Sequence, residues 1–145
     1  MTSLYKLLAV KDGELEYSEM EPCSDADSAV KLLAEFFKDA AKESFVVLAL
    51  DVKNRPIGLN VVSAGTLTQS LVHPREVFQY VILANAAGFI LSHNHPSGDP
   101  TPSSDDDVVT KRLRACAEVL GFKMVDHIIV GEDKKYFSYA LHGWG

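Results

Sequence analysis

The sequence predicts a mixed α/β fold, α+β in organisation, in which one mixed sheet packs against about three helices. Three observations lead there. Apolar runs of strand length recur along the chain, several of them rich in Val, Ile and Phe. Segments whose apolar residues fall at helical spacing alternate with them. The connections are of two kinds, a short hairpin break and longer helical crossovers, and a sheet with both antiparallel and parallel neighbours needs both.

Each element follows from its residues. Leu4 to Val10 reads as a short strand, and Asp12-Gly13 as a turn. Ser24-Asp25 is a cap for a helix from Ala26 to about Ala41, with Ala29, Val30, Leu33, Phe36 and Phe37 on one face. Phe45 to Asp51 is a buried strand. Lys53-Asn54-Arg55-Pro56 breaks it, and Ile57 to Ser63 is the returning arm of a hairpin. Pro74 opens a second helix, at a position where its missing N–H costs nothing, with Val77, Tyr80, Val81 and Ala84 on one face. Gly88 to His93 is another buried strand. Asn94 to Ser103, dense in Pro, Gly, Ser and Thr, is a loop. Ser103 or Ser104 caps a third helix that runs to about Leu120 and stops at Gly121. Lys123 to Val130 is a strand, Gly131 to Asp133 a turn, and Tyr136 to Tyr139 a last short strand.

The length of 145 residues fits a single domain, 1–145, able to bury a core without disulfides. There are no repeats and no low-complexity tract. The net charge of -6 disfavours a phosphate backbone as partner. The basic groupings, Lys111-Arg112-Arg114 and Lys134-Lys135, read as a solvated helix face and a turn. Cys23 and Cys116 are far apart and outside any CxxC pair, so they make neither a disulfide framework nor a zinc finger; Cys116 reads as a small core residue. The N-terminus shows no cleavable apolar run and no stretch reaches spanning length, so the expected location is the cytoplasm, with no membrane contact.

The chemistry is concentrated in the segment from His93-Asn94-His95 to Asp107. Residues two apart on a strand point the same way, about 7 Å apart at Cα, a span that two imidazoles can close over one metal ion. The proline-rich loop then reverses the chain into a helix whose first turn carries Asp105, Asp106 and Asp107. Acidic residues there are ordinary partners of the helix dipole, but one of these carboxylates can fold back as a third ligand. Two His and one carboxylate suit Zn²⁺ and leave a fourth position for water, the pattern of a catalytic rather than a structural site. Such chemistry further needs a general base and a donor for the developing oxyanion.

His93-Asn94-His95, seven residues, Ser103, two residues and Asp106 resemble the H-x-H-x7-S-x2-D motif of the JAMM (JAB/MPN) metalloproteases. HNHPSGDPTPS, VHPREVF at Val72 to Phe78 and DHIIVG at Asp126 to Gly131 look like the RadC-type branch, over about Glu43 to the C-terminus. The resemblance implies an MPN-like fold, a curved mixed sheet packed against helices with Zn²⁺ at a strand end. It implies metal ligands at His93, His95 and Asp106, with Ser103 steadying the oxyanion and also serving as helix cap. It implies an upstream glutamate as base, for which Glu43 is the first choice and Glu76 the next. It favours Asp106 over Asp99 as third ligand. His127 is expected as a hydrogen-bonded core or supporting residue, and Asp126 as a carboxylate orienting an imidazole. Arg75 can bind a substrate carboxylate or pair with Glu76.

The implied activity is hydrolysis of an amide bond in a peptide or protein. The alternatives are a non-catalytic binding module and a DNA-associated accessory protein. RadC-type proteins commonly carry an N-terminal helix-hairpin-helix region, and the roughly 40 residues before Glu43 show no such pattern. The acidic balance also gives no support to DNA association. No feature specifies a substrate or an oligomeric state.

Overall fold

A computed structural model describes residues 1–15, 21–65 and 72–144. Five strands form one mixed sheet: β1 (Ser44–Leu50), β2 (Pro56–Ala64), β3 (Gly88–Asn94), β4 (Lys123–Val130) and β5 (Tyr136–Ser138). Their order across the sheet is β2-β1-β3-β4-β5. β1 is antiparallel to both β2 and β3, β3 is parallel to β4, and β4 is antiparallel to β5. Three helices complete the fold: α1 (Ala26–Phe37), α2 (Pro74–Leu83) and α3 (Ser104–Leu120). The mixed α/β class expected from the sequence is therefore the one observed, and it is consistent with an MPN-like fold.

The alternation of side chains along a strand divides the core in two. Phe45, Val47 and Ala49 of β1 join Phe89 and Leu91 of β3 on one face, under Val77, Phe78 and Val81 of α2 and Val109, Leu113 and Ala117 of α3. Val46, Leu48 and Leu50 join Ile90, Ile128 and Val130 on the other, under Ala29, Val30, Leu33 and Phe37 of α1. Covered on both sides, β1 and β3 are almost wholly buried. That is why they read as continuous apolar runs rather than as alternating ones. Cys116 lies half-buried at the margin of the first core, and both cysteines are free thiols. Burial pushes the Cys23 thiol up to about 11, so it stays protonated and unreactive near neutral pH.

Several expectations need correction. Residues 4–10 form no strand and 12–13 no turn. Leu4, Leu7 and Val10 are exposed, with no neighbouring strand to take their backbone hydrogen bonds. A short apolar alternation has no stability as a strand until a partner supplies the ladder. The first helix ends at Phe37 rather than near Ala41. Residues 38–41 are all exposed, so further turns would bury nothing, and the Phe37 carbonyl instead accepts the Ala40 N–H in a tight turn. The last strand is one residue shorter than expected, ending at Ser138.

Among the described residues, no helix is long and apolar enough to cross a membrane.

Candidate metal centre

The site lies where three chain segments meet at one end of the strands in the middle of the sheet. Because β1 runs antiparallel to β3, with Phe45 opposite His93, the start of β1 stands beside the end of β3. Because β4 runs parallel to β3, its end lies there too, and the Val130 carbonyl accepts the His95 N–H at 2.9 Å. The loop after His95 is pinned against β4. Gly98 turns with φ +90, and its carbonyl accepts the Glu132 N–H at 3.0 Å. A Cβ on Gly131 would stand 2.4 Å from that same carbonyl oxygen, so only glycine lets loop and strand approach this closely. The loop thereby returns the chain so that α3 starts over the end of β3.

The start of α3 is a capping box. Ser103 Oγ accepts the Asp106 N–H at 3.1 Å, and Asp106 Oδ2 accepts the Ser103 N–H at 2.8 Å. The spacing of serine and aspartate in the sequence is thus the spacing of N-cap and third helical residue. The box does more than cap, because it fixes the Asp106 carboxylate in a buried place above the two imidazoles. Asp106 is 1 % exposed and His93 0 %.

Three side chains meet here. His93 Nε2 lies 3.2 Å from His95 Nε2 and 3.2 Å from Asp106 Oδ1, and His95 Nε2 lies 3.3 Å from Asp106 Oδ2. A tetrahedral metal site with bonds of about 2.0 Å has ligand-to-ligand edges of roughly 3.3 Å. The observed separations match those edges, although the two that reach Asp106 end on its different oxygens. Glu43 forms a grouping with the two imidazoles that does not include Asp106: one of its carboxylate oxygens and a ring nitrogen of each of His93 and His95 all lie within 4.8 Å of one another. Among the described residues this is a group of ligand-type side chains able to hold a metal ion.

The electrostatics suit a cation. Burial pushes the Asp106 carboxyl up, but hydrogen bonds from His93 and His95 outweigh it and hold the group well below the usual carboxylate range. The hydrogen bond to Asp106 raises His95, against the opposing effect of burial. His95 Nδ1 donates to the Asp99 carbonyl at 2.9 Å, so that nitrogen carries the ring's proton in the neutral form and Nε2 keeps its lone pair. His93 Nδ1 faces His127 Nε2 at 2.9 Å, and Phe45 stacks on the His93 ring.

The other expected residues occupy varied positions. Asp99 does not reach the cluster with its carboxylate, which accepts from Thr101. Glu76 is exposed in the first turn of α2, outside the ligand group that contains Glu43. His127 is the supporting residue expected, wholly buried against His93. Asp126 is a correction. Its carboxylate accepts the His127 and Ala140 backbone N–H groups and the Ser138 hydroxyl, so it ties β4 to the C-terminal segment and orients no imidazole. Arg75 lines an apolar groove of about 540 Å³ between α2 and α3, together with Phe78, Ile82, Cys116 and Val119, away from the cluster.

Two residues went unnoticed in the sequence. The Asn94 side chain accepts the Ser44 N–H at 2.8 Å and donates to the Lys42 carbonyl at 3.1 Å. It therefore grips the backbone on both sides of Glu43. Thr110, one helical turn after Asp106, contacts His127. Asn94 sits inside the informative tripeptide, and an Asn at a strand end is a signal for backbone capture. Thr110 carries no such signal.

The model of the RadC-like JAB domain matches residues 23–144. The chain belongs to the RadC-like JAB domain family. The match begins at Cys23, so it takes in α1 as well as the part from Glu43 onward. The chain is 48 % identical over 121 residues to a UPF0758 protein of Clostridium kluyveri, covering 83 % of this chain and 51 % of that protein. It is 42 % identical over 136 residues to a UPF0758 protein of Geotalea uraniireducens, covering 94 % and 59 %. A UPF0758 protein of Thermotoga maritima is 42 % identical over 138 residues, covering 93 % and 62 %. The chain thus spans about half the length of the curated relatives it matches.

Proposed function

We propose that this RadC-like JAB domain is a zinc-dependent hydrolase of amide bonds, of peptidase or isopeptidase type. The observation that carries the reading is the meeting of His93 and His95 at 3.2 Å, with one Asp106 oxygen 3.2 Å from the first imidazole and the other 3.3 Å from the second, and with a Glu43 oxygen within 4.8 Å of both rings. Two imidazole nitrogens and one carboxylate oxygen are a donor set suited to Zn²⁺, and three protein ligands leave a coordination position open. When bound there, zinc supplies Lewis-acid polarisation and the activation of water near neutral pH.

The protein's own groups supply the rest. Glu43, held by Asn94 through its flanking backbone, takes the proton of the attacking water and passes it to the leaving amine. Ser103 Oγ spends a lone pair on the Asp106 N–H, which leaves its own proton to donate to the substrate oxyanion. Phe45 and the sheet close the site from below and keep water from the far side of the His93 imidazole. The substrate is a peptide or protein; the net charge of -6 lends no support to a DNA-associated role.

The test is a zinc-loaded preparation offered a proteome-derived peptide library, with Glu43→Gln as control. Cleavage by the wild type is expected, and the Gln variant is expected to bind zinc yet lose turnover by about 100-fold or more. Full activity in the variant would remove Glu43 from its role.

A further inference from the structure

Behind the candidate ligands lies an unbroken line of polar contacts. His93 Nδ1 is 2.9 Å from His127 Nε2, His127 Nδ1 meets Thr110 Oγ1, and Thr110 Oγ1 is 2.7 Å from the Asp106 main-chain oxygen. Thr110 is 3 % exposed and His127 wholly buried, so solvent does not compete for these bonds. The line also closes on itself. It starts at the main chain of Asp106, passes through α3, β4 and β3, and ends where His93 Nε2 faces the Asp106 carboxylate.

The direction of the protons is set at the far end. A carbonyl oxygen only accepts, so the Thr110 hydroxyl donates to it. With its one proton used, Thr110 Oγ1 accepts from His127, whose Nδ1 must then carry the hydrogen. A neutral imidazole has a single N–H, so His127 Nε2 is a bare acceptor. His93 must present Nδ1–H to it, and once a metal takes the place of the proton that Nε2 shares with Asp106 in the metal-free chain, His93 Nε2 would offer its lone pair to the metal position. His95 reaches the same state by its own Nδ1–H bond to the Asp99 carbonyl.

The ring of His127 is held on both sides. Tyr139 stacks on it with centroids 5.1 Å apart and planes 16° from parallel, while its hydroxyl donates to Asp107 at 2.6 Å. Phe45 meets the same ring edge-on at 5.7 Å. The imidazole therefore keeps one edge toward Thr110 and the other toward His93.

The geometry points to Thr110 and His127 as positioning residues of the metal centre, which hold His93 in the tautomer that presents a bare Nε2. This rests on the proposed zinc site, but assigns to two residues outside the ligand set a task that nothing in that reading requires. Neither touches the metal position. They act through His93, and their loss should be read in metal affinity and ring protonation before it is read in turnover.

The experiment uses the full chain loaded with zinc. Long-range ¹⁵N–¹H spectra of the imidazole rings report which nitrogen carries each proton, and chelator competition reports affinity. In the wild type, His93 and His127 are both expected to carry the proton on Nδ1. Thr110→Val keeps the shape of the side chain and removes the hydroxyl; it is expected to weaken zinc binding about 10- to 100-fold. His127→Phe is expected to do the same. His127→Gln, whose amide can accept from His93 and donate to Thr110, is expected to recover much of the loss.

A proton on His127 Nε2 in the loaded wild type overturns the inference. So does wild-type affinity in a folded Thr110→Val chain. If His127→Phe does not fold, the wild-type spectrum and Thr110→Val decide. A wild type that takes up no zinc removes the metal reading along with this one, whereas a wild type that binds no better than its variants removes this one alone.

Discussion

Asn94 stands between two candidate ligands and points its side chain elsewhere. On a strand the middle residue of His-x-His faces away from its neighbours, and here it reaches the Lys42 carbonyl and the Ser44 N–H. The residue that separates the imidazoles thus ties the candidate base to the end of β3. Asn94→Ala is expected to reduce turnover about 10-fold or more, because small displacements of a catalytic group are costly, while zinc affinity measured by chelator competition changes little. A variant that loses zinc and keeps its per-zinc turnover would contradict this division of labour. His95 and Asp106 set the pH response. The metal-free His95 has its pKa raised above the ordinary 6.5 by Asp106, so its pairing stabilises the empty fold fully below about pH 6.5 and fades as pH rises through the raised value. Zinc must displace that proton. Its apparent affinity is therefore expected to rise with pH across that range and to level off above it, as calorimetric titrations at a series of pH values would show. An affinity that falls over that interval would be incompatible with His95 as a ligand.

At the scale of elements, the site depends on how closely β4 and the His95–Pro100 loop approach each other. The backbone of Gly131 lies against the Gly98 carbonyl, and that carbonyl is itself held by the Glu132 N–H. An added methyl at Gly131 meets main chain rather than a side chain that can swing aside. Gly131→Ala is expected to destabilise the fold by about 1–3 kcal/mol in urea unfolding, the usual cost of overpacking, and to weaken zinc binding as the loop shifts. Unchanged stability would mean that the loop relaxes freely and does not position α3. The capping box carries a related lesson. Ser103 and Asp106 satisfy two orphan N–H groups of α3 by a local rule, and the same rule places the carboxylate that faces both imidazoles. Helix initiation and the placement of the candidate ligand are here one arrangement of atoms.

At the scale of the whole molecule, the sheet separates two cores and gathers the candidate ligands where β3 and β4 end and β1 begins. Residues 1–12 take no part in either core. Removing them is expected to move the melting temperature by less than about 3 °C, since surface changes rarely exceed 0.5 kcal/mol, and to leave zinc affinity as it was. A larger drop would show that the exposed apolar residues Leu4, Leu7 and Val10 pack somewhere that matters.

Much of this was legible in the residues alone. Continuous apolar runs marked β1 and β3, Pro74 and Gly121 marked the ends of helices, and His93 and His95 stood at a spacing that local geometry can read, while Asp106 was singled out from Asp105 and Asp107 only by the resemblance to a family motif. Those features depend on neighbours a few residues apart, where periodicity and capping are decisive. The failures and omissions are of another kind. Leu4–Val10 has the alternation of a strand, but whether it becomes one depends on a partner that only the folded sheet provides. Asp126 looked like a support for an imidazole, until the C-terminal segment arrived with Ser138 and Ala140 to claim it. Thr110 and His127 are 17 residues apart, and His127 and His93 are 34 apart. Hydrogen bonds of that span are chosen by the register of β3 on β4 and the seat of α3 above them, and no short-range pattern encodes that register.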